Sequence, residues 1–359
     1  MELTEALPQY TIENFENSGH SEPAHSLSYA TLMGRNILND IMQFRRIAGP
    51  RGECSTTPCP HCLAPHLSKI VSSVREGRPV TFVLPAFPGK SPNSNKVLGP
   101  LPDMAEKCAL EFLQNLCDRI KKIYAPGARI ILCSDGRVFS DVVGMRDEDV
   151  TAYQDEISKM IAELGLKSIS TFNLEEIYGD LDFDQMRTQI MSEYGEPLEA
   201  LKAEVSRGKA EGCTNEEEES NRLYCGITRF LLEDAMTPGQ TKSRTALQKE
   251  CRTRAYSVIQ RSKAWGELVE DKFPDAVRLS IHPQSCGGKK IGIRMIQPDN
   301  WQTPWHGVAV QVEERYILLK RSQAEALGAQ LVTESGRPSH YVLANTDGLA
   351  KLFGKQDEA

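Results

Sequence analysis

The chain has 359 residues, enough for one large or two smaller domains, and its 40% hydrophobic and 25% charged residues are ordinary for a globular protein. A formal net charge of −7, from 42 basic and 49 acidic residues, argues against a nucleic acid as partner, because nucleic-acid-binding proteins usually carry a basic excess. No apolar run approaches the roughly 18 residues of a membrane helix, and residues 1–20 lack the apolar segment of a secretory signal, so we expect no membrane partner.

Residues 1–25 are polar and contain two prolines, which predicts a loose arm before a single domain over residues 26–359. The domain opens with helical apolar periodicity over residues 27–47. After a loop rich in proline and glycine, helices alternate with short apolar runs of β-forming residues. These segments predict, in chain order, a helix at 66–76, a strand at 79–84, a helix capped by Asp103, a strand at 128–133, a loop at 134–141, a helix at 148–164 and a strand at 167–172.

Strand–helix–strand units of this length indicate a largely parallel sheet flanked by helices. Residues 174–270 have the pattern of helices, with breaks at 195–197 and 237–239, where proline and glycine occur. Short apolar strands return in residues 276–345. The expected fold class is therefore α/β, with a Rossmann-like, largely parallel sheet flanked by helices and a mixed C-terminal sheet portion.

Two polar loops follow predicted strands, at the sheet edge where open α/β folds bind ligands. The first, residues 85–101, is long and rich in proline and glycine, as functional loops often are. It is not a nucleotide P-loop, because Leu84 stands where that motif needs a glycine. A surface loop with solvated lysines is the alternative to an anion site. The lysines, hydroxyl and amide that suit a phosphate are Lys90, Ser91, Asn93 and Lys96.

The second loop, residues 134–141, places Asp135 and Asp141 on either side of Arg137. A carboxylate beside a cation at a strand end can transfer protons or orient a ligand. The alternative is a local ion pair around an Asp-Gly turn. Residue types alone leave both interpretations open.

Three further polar side chains stand near predicted strands in the C-terminal part. Arg278 and His282 share one face of a predicted strand, and His306 lies beside a proline turn. Histidine titrates near neutral pH, so His282 and His306 are candidate proton-transfer groups. The alternative is that both are structural, as lone histidines more often are.

The ten cysteines are scattered, whereas a secreted disulfide framework is usually denser and lies in a smaller chain. We therefore expect a reduced, cytoplasmic protein. Cys54, Cys59, Cys62 and His66 have the spacing C-x₄-C-x₂-C-x₃-H, and four such ligands suit a closed structural zinc site. The spacing is not that of a common zinc finger, so the alternative is that these are reduced cysteines in a loop. No metal is assigned to the catalytic site.

Six blocks stand in order between residues 78 and 310: RPVTFVLPAFPGKSPNSNKVLGPLPDMAE (78–106), CSDGRVFSDVVG (133–144), YCGITRFLLED (224–234), RSKAWGELV (261–269), FPDAVRLSIHPQ (273–284) and TPWHGVAV (303–310). Together they resemble the isocyanide (isonitrile) synthases, also described as the pyoverdine/dityrosine biosynthesis family. Several ordered blocks are far more specific than any single motif above.

The resemblance implies an enzyme of carbon–carbon lyase type that needs no cofactor and acts in the biosynthesis of isonitrile natural products. Its substrates would be an L-amino acid, with tyrosine favoured over tryptophan, and ribulose 5-phosphate. The α-amine becomes an isonitrile whose carbon comes from C2 of the sugar. A ligand-binding α/β protein without turnover is the alternative of a different class.

Such chemistry requires a phosphate pocket, a carboxylate pocket and acid/base groups near an imine. As a hypothesis, Asp135 orients or deprotonates the amine, and His282 or His306 moves protons. Lys90 is also the candidate for a Schiff base. The residues assigned to substrate binding are Ser91, Asn93, Lys96, Arg137, Asp141 and Arg278, together with Lys90.

Overall fold

The structure is a computed structural model that describes residues 28–48, 54, 57–296, 302–345 and 348–349. The arm predicted for residues 1–25 lies outside the described residues. Within them the helices are α1 (Tyr29–Met42), α2 (Pro60–Arg75), α3 (Met104–Ile123), α4 (Gly136–Val143), α5 (Asp147–Glu163), α6 (Glu175–Tyr178), α7 (Phe183–Tyr194), α8 (Leu198–Arg207), α9 (Asn215–Ala235), α10 (Arg244–Lys272) and α11 (Arg321–Ala326). None of these described helices is both long enough and apolar enough to cross a membrane.

The strands of the described chain form two sheets. They are β1 (Val80–Leu84), β2 (Ala128–Cys133), β3 (Ile169–Phe172), β4 (Val277–Ser280), β5 (Ile291–Gly292), β6 (Val308–Val312), β7 (Arg315–Leu319), β8 (Gln330–Glu334) and β9 (Arg337–Val342). The central sheet is parallel throughout, in the order β3-β2-β1-β4-β5. The second sheet, β7-β6-β9-β8, mixes antiparallel and parallel pairs. The predicted fold class is confirmed.

The strand order of the central sheet creates a crevice. The chain runs outward from β1 through β2 to β3, and later returns to place β4 on the other side of β1. Connections therefore leave β1 and β4 in opposite directions. In doubly wound sheets this switch point, at the carboxyl ends of the strands, is where ligands bind.

Local sequence explains why α3 begins where it does. The Asp103 side chain accepts a hydrogen bond from the amide of Ala105 at 2.8 Å, and the Glu106 side chain accepts one from the amide of Asp103 at 3.0 Å. This reciprocal capping box satisfies amides that would otherwise lack partners at the helix start. The predicted cap at Asp103 is therefore confirmed.

The loop predicted for residues 134–141 was wrong, because α4 begins at Gly136. The Asp-Gly pair gives a turn signal, but Val138 and Val143 are buried in the core and hold the segment as a helix. A side chain at Gly136 would collide with the carbonyl of Pro88, since a Cβ there would lie 1.9 Å from that oxygen. The glycine thus lets the loop after β1 pack directly against the start of α4.

Candidate active site

A cavity of about 650 Å³ lies at the switch point of the central sheet. The carboxyl ends of β1, β2 and β4 line it through Ala86, Asp135 and Ile281, and α9 covers the opposite side. Pockets of roughly 300–1,000 Å³ are typical of small-molecule sites. The size and position therefore identify the crevice as the candidate active site.

Four polar residues form one wall, and we call them the cavity cluster: Ser91, Lys96, Asp234 and His306. Asp234 Oδ1 accepts hydrogen bonds from Ser91 Oγ and Lys96 Nζ, each at 2.6 Å. Lys96 Nζ also lies 5.6 Å from the centre of the Phe230 ring. The loop after β1 and the end of α9 are thus joined by a buried charge pair at the cavity surface.

His306 is held by its Nδ1 atom, which lies 2.8 Å from Thr303 Oγ1. Its Nε2 atom lies 3.7 Å from Asp234 Oδ2, beyond hydrogen-bond distance. Burial, followed by the charges of Lys96 and Lys90, holds the pKa of His306 well below its usual value. The imidazole is therefore neutral at neutral pH, with Nε2 accessible to a ligand.

Asp135 follows β2 and lines the cavity. Burial raises its pKa to about 7, against smaller opposing effects of a backbone hydrogen bond and the charge of Arg278. Among the described residues, no hydrogen-bond partner reaches its buried Oδ1 atom. This carboxyl can therefore both take up and release a proton near neutral pH.

A third group, which we call the basic corner, consists of Arg46, His282 and Lys290 at the end of β4. Arg46 Nη1 donates to the carbonyl of Ile281 at 2.5 Å. Desolvation in the cavity, followed by the charges of Arg46 and Lys290, lowers the pKa of His282 to about 4. The imidazole of His282 is therefore neutral, and the cations of the corner are Arg46 and Lys290.

Lys90 belongs to a different group, the closed cluster of Lys90, Asp103 and Glu106. Its Nζ atom lies 2.9 Å from Asp103 Oδ2 and 2.7 Å from Glu106 Oε2, and it donates to the carbonyl of Pro304 at 3.1 Å. The lysine side chain is fully buried. Burial by itself would lower the pKa of Lys90, but the two carboxylates outweigh it and leave the pKa raised. This lysine stays charged behind the cavity wall, an environment that fits neither a phosphate contact nor a Schiff base.

Asn93, Arg137 and Asp141 do not line the cavity either. The Asn93 side-chain amide donates to the carbonyls of Glu233 and Met236, at 2.7 and 3.2 Å, and so closes the end of α9. Arg137 Nη2 lies 2.6 Å from Glu175 Oε1.

Asp141 Oδ1 accepts a hydrogen bond from Arg261 Nη1 at 2.5 Å, on the outer face of α4. Because residues 136–143 are helical, Arg137 and Asp141 turn away from Asp135 instead of sharing a loop with it. The alternative of a local ion pair between Arg137 and a flanking aspartate does not hold either among the described contacts, because Arg137 pairs with Glu175 and Asp141 with Arg261.

Arg278 stands close behind Asp135. Its Nη1 atom lies 3.5 Å from the carbonyl of Gly266, and burial lowers its pKa. The structure therefore brings together Ser91, Lys96, Asp135, His282 and His306 around one cavity, with Arg278 in support.

Sequence reasoning missed Asp234, Arg46 and Lys290 as site residues. Asp234 ends the block YCGITRFLLED, so its place in one of the six blocks was the available signal. Arg46 and Lys290 lie outside all six blocks, and nothing in their local pattern distinguishes them from solvated charges.

A separate group of side chains has the composition of a metal site. The sulfur atoms of Cys54, Cys59, Cys62 and Cys286 all lie within 4.8 Å of one another. Cys286 takes the place expected for His66, which is buried within α2.

Comparison with known proteins places this chain among enzymes. The family model described as pyoverdine/dityrosine biosynthesis protein matches residues 70–332. An L-tyrosine isonitrile synthase of Pseudomonas aeruginosa is 49% identical over 282 residues, which cover 77% of this chain and 83% of the relative. The L-tryptophan isonitrile synthase AmbI2 of Fischerella ambigua is 45% identical over 317 residues, which cover 88% and 93%. The crystal structure of PvcA from Pseudomonas aeruginosa matches with a TM-score of 0.79 and 44% identity, covering 87% of this chain and 99% of that one.

Proposed function

Because the chain belongs to the pyoverdine/dityrosine biosynthesis protein family of isocyanide synthases, we propose that it converts the α-amine of an aromatic L-amino acid into an isonitrile, with ribulose 5-phosphate as carbon donor. The observation that carries the proposal is one cavity that joins three environments. A carboxyl with a pKa of about 7 lies in it, together with a basic corner and an apolar wall. Relatives named for tyrosine and for tryptophan support the amino-acid class.

The apolar wall suits the aromatic side chain. It combines aromatic rings with aliphatic side chains from the loops and helices around the cavity, and burying an aromatic ring against such a surface is favourable. Its members are Phe139, Val143, Met145, Leu223, Ile227, Phe230, Val258 and Trp305. With a volume of about 650 Å³, the cavity has the size of a small-molecule site, and we place both substrates in it.

The basic corner suits the sugar phosphate. Arg46 and Lys290 are cations that line the cavity beside neutral His282, which can donate a further hydrogen bond. Lys96, the remaining cation of the loop that was expected to hold phosphate, is already paired with Asp234 at 2.6 Å. We therefore place the phosphate at the end of β4 rather than at the loop after β1.

Asp135 carries the proton transfers of imine formation. As a carboxylate it takes a proton from the substrate ammonium, and the free amine attacks the C2 ketone of the sugar. The resulting carboxylic acid returns the proton to the carbinolamine hydroxyl, which leaves as water. A pKa of about 7 populates both forms at neutral pH, as general acid/base catalysis requires.

The cavity cluster serves the steps that follow. Carbon–carbon cleavage on both sides of C2 and loss of phosphate require protons to move at the sugar hydroxyls. His306 Nε2 faces the cavity and is not hydrogen-bonded to Asp234, so it can contact such a hydroxyl. The charges of Lys96 and Asp234 lie next to this imidazole and set the electrostatic potential at its ring.

An isotope experiment tests the proposal. The chain is incubated with L-tyrosine or L-tryptophan and with ribulose 5-phosphate carrying ¹³C at C2, and the products are followed by infrared spectroscopy and mass spectrometry. We expect an isonitrile band that shifts with the C2 label and does not shift with a C1 label. Binding of both substrates without any isonitrile would instead indicate the ligand-binding alternative.

A further inference from the structure

We propose that Cys54, Cys59, Cys62 and Cys286 bind one zinc ion as a closed structural site. The four sulfur atoms come from two distant parts of the chain and converge within 4.8 Å of one another. The proposal rests on this cluster alone and does not depend on the proposed function.

The distances between sulfur atoms fit a single tetrahedral ion. Zn–S bonds of about 2.3 Å give a regular tetrahedron edges of about 3.8 Å. The separations from Cys286 are 3.3 Å to Cys54, 3.5 Å to Cys59 and 3.2 Å to Cys62. Cys59 lies 3.5 Å from Cys54 and 3.8 Å from Cys62. The cluster therefore has the size of a four-thiolate zinc site.

Two of the ligands occupy a turn that recurs in zinc sites. Cys59 is the N-cap of α2, Pro60 follows it, and the amide of Cys62 donates to the carbonyl of Cys59 at 3.0 Å. The C-x₂-C spacing is common among structural zinc ligands. Thiolates at a helix start are also stabilised by the positive end of the helix dipole.

The loop that carries Cys286 is shaped to approach this turn closely. Gly287 has a φ of +77°, which side chains rarely adopt, and a Cβ there would lie 2.3 Å from Nε2 of His61. The amide of Gly288 donates to the carbonyl of Ser285 at 3.0 Å, which closes the turn. Glycine at position 287 thus lets the loop pack against the start of α2.

Other states of the same cysteines fit less well. A disulfide requires sulfur atoms about 2.0 Å apart, whereas five of the six separations between these sulfurs run from 3.2 to 3.8 Å. An iron–sulfur cluster would separate its cysteines further, because several metal ions and sulfides stand between them. Tetrahedral sulfur coordination of one divalent ion favours zinc.

The site would fix one wall of the cavity. Cys286 stands two residues after Gln284, and both Gln284 and His282 line the cavity. The backbone of Gln284 is already paired with Ala48, because its carbonyl accepts a hydrogen bond from the amide of Ala48 at 3.0 Å. The metal would therefore tie Cys54 and the start of α2 to the loop after β4, beside the basic corner.

Metal analysis of the purified chain tests the site. The protein is produced without an affinity tag that binds metal, and its zinc and iron contents are measured by plasma mass spectrometry. We expect about one zinc ion per chain, in line with a single four-cysteine site. Cys286→Ser and Cys62→Ser should each lose the zinc and lower the melting temperature. Cys225→Ser, a change at an exposed cysteine on α9, should retain it.

Replacement of zinc by Co²⁺ provides a readout that does not require a stable variant. Wild-type protein reconstituted with Co²⁺ alone should show thiolate charge-transfer bands and the visible bands of a tetrahedral ion. Absence of both metals from the wild type, after reconstitution as well as before it, would overturn the proposal. Disulfides among these four cysteines, stoichiometric iron, or retention of zinc by Cys286→Ser would overturn it too.

Discussion

Lys90 and Lys96 come from the same loop after β1, six residues apart, and each is buried against carboxylates, yet they belong to different regions. The closed cluster around Lys90 is sealed between the loop, α3 and the carbonyl of Pro304. The cavity cluster around Lys96 opens onto the candidate substrate site. The two lysines therefore share residue type, loop and charge pairing, and they differ in their access to the cavity.

The same contrast holds for two acids. Burial raises the pKa of Glu106, with Lys90 opposing the shift, and burial raises the pKa of Asp135 to about 7. Glu106 accepts a hydrogen bond from the Tyr153 hydroxyl at 3.1 Å and lies within the closed cluster. A raised pKa marks a candidate site only when the group can also reach a ligand.

The largest effect is expected from Asp135→Asn. The change keeps the shape of the side chain and removes its proton transfer, so kcat should fall about 10²–10⁴-fold. In the wild type, kcat/KM should rise with pH and level off above about 7, because the carboxylate is the form that accepts the ammonium proton. Steady-state kinetics of isonitrile formation across pH measure both effects.

Glu106→Gln is the matched control for that comparison. It replaces a second acid whose pKa is raised by burial, so it should lower stability and leave the kcat of the folded protein and its pH profile unchanged. A larger loss of kcat in Glu106→Gln than in Asp135→Asn would mean that the closed cluster, and not the cavity, carries the proton transfer.

Lys90→Met is expected to cost stability. It leaves Asp103 and Glu106 buried without their cation, and removal of one partner from a buried pair typically costs about 3–5 kcal/mol. Denaturant unfolding measures the change. At a temperature where the variant is folded, its kcat should match that of the wild type. A stable Lys90→Met variant with no turnover would mean that this lysine acts in the reaction after all.

Lys290→Ala should weaken ribulose 5-phosphate selectively. A charge-assisted hydrogen bond contributes about 1.5–3 kcal/mol, which corresponds to a roughly tenfold to hundredfold rise in Kd. Calorimetric titration should show this rise for the sugar phosphate, while the affinity for the amino acid stays close to that of the wild type. Equal weakening of both ligands would mean that the phosphate does not bind at the basic corner.

The sequence predicted most of the fold because its signals are local. Short apolar runs bounded by turn residues marked β1 and β2, and the capping residue Asp103 marked the start of α3. The Asp-Gly turn signal at residues 135–136 was misleading, since burial of Val138 and Val143 outweighs it, and this tertiary contact is not visible in local propensity.

The site was predicted only in part, because its geometry depends on distant contacts. Asp135, His282 and His306 were predicted from their positions at strand ends, and all three line the cavity. Lys90 and Lys96 could not be told apart, since their partners Glu106 and Asp234 come from different helices. The partner of the three early cysteines, Cys286, stands more than 220 residues away, and a nearer histidine fitted the spacing better.

The smallest predicted effect concerns stability and pH. The pKa of Asp135 is about 7 in the folded protein and near its ordinary 3.8 in the unfolded chain. Between these values the folded state holds a proton that the unfolded state has lost, so this residue makes the wild type less stable as pH rises from about 4 to 7. Asparagine does not ionise, and Asp135→Asn should therefore gain stability relative to the wild type at pH 8 but not at pH 4.

Calorimetric melting temperatures at the two pH values measure that gain. A shift of a few degrees is expected, since 1 kcal/mol corresponds to about 2–4 °C in a domain of roughly 150–250 residues and to less in a longer chain. Asp141→Asn is the matched control, because this partly exposed carboxylate binds Arg187 and Arg261 and should give no gain at pH 8. If Asp135→Asn gained the same stability at both pH values, burial would not be raising the pKa of Asp135. The proposed role of Asp135 as a base near neutral pH would then be contradicted.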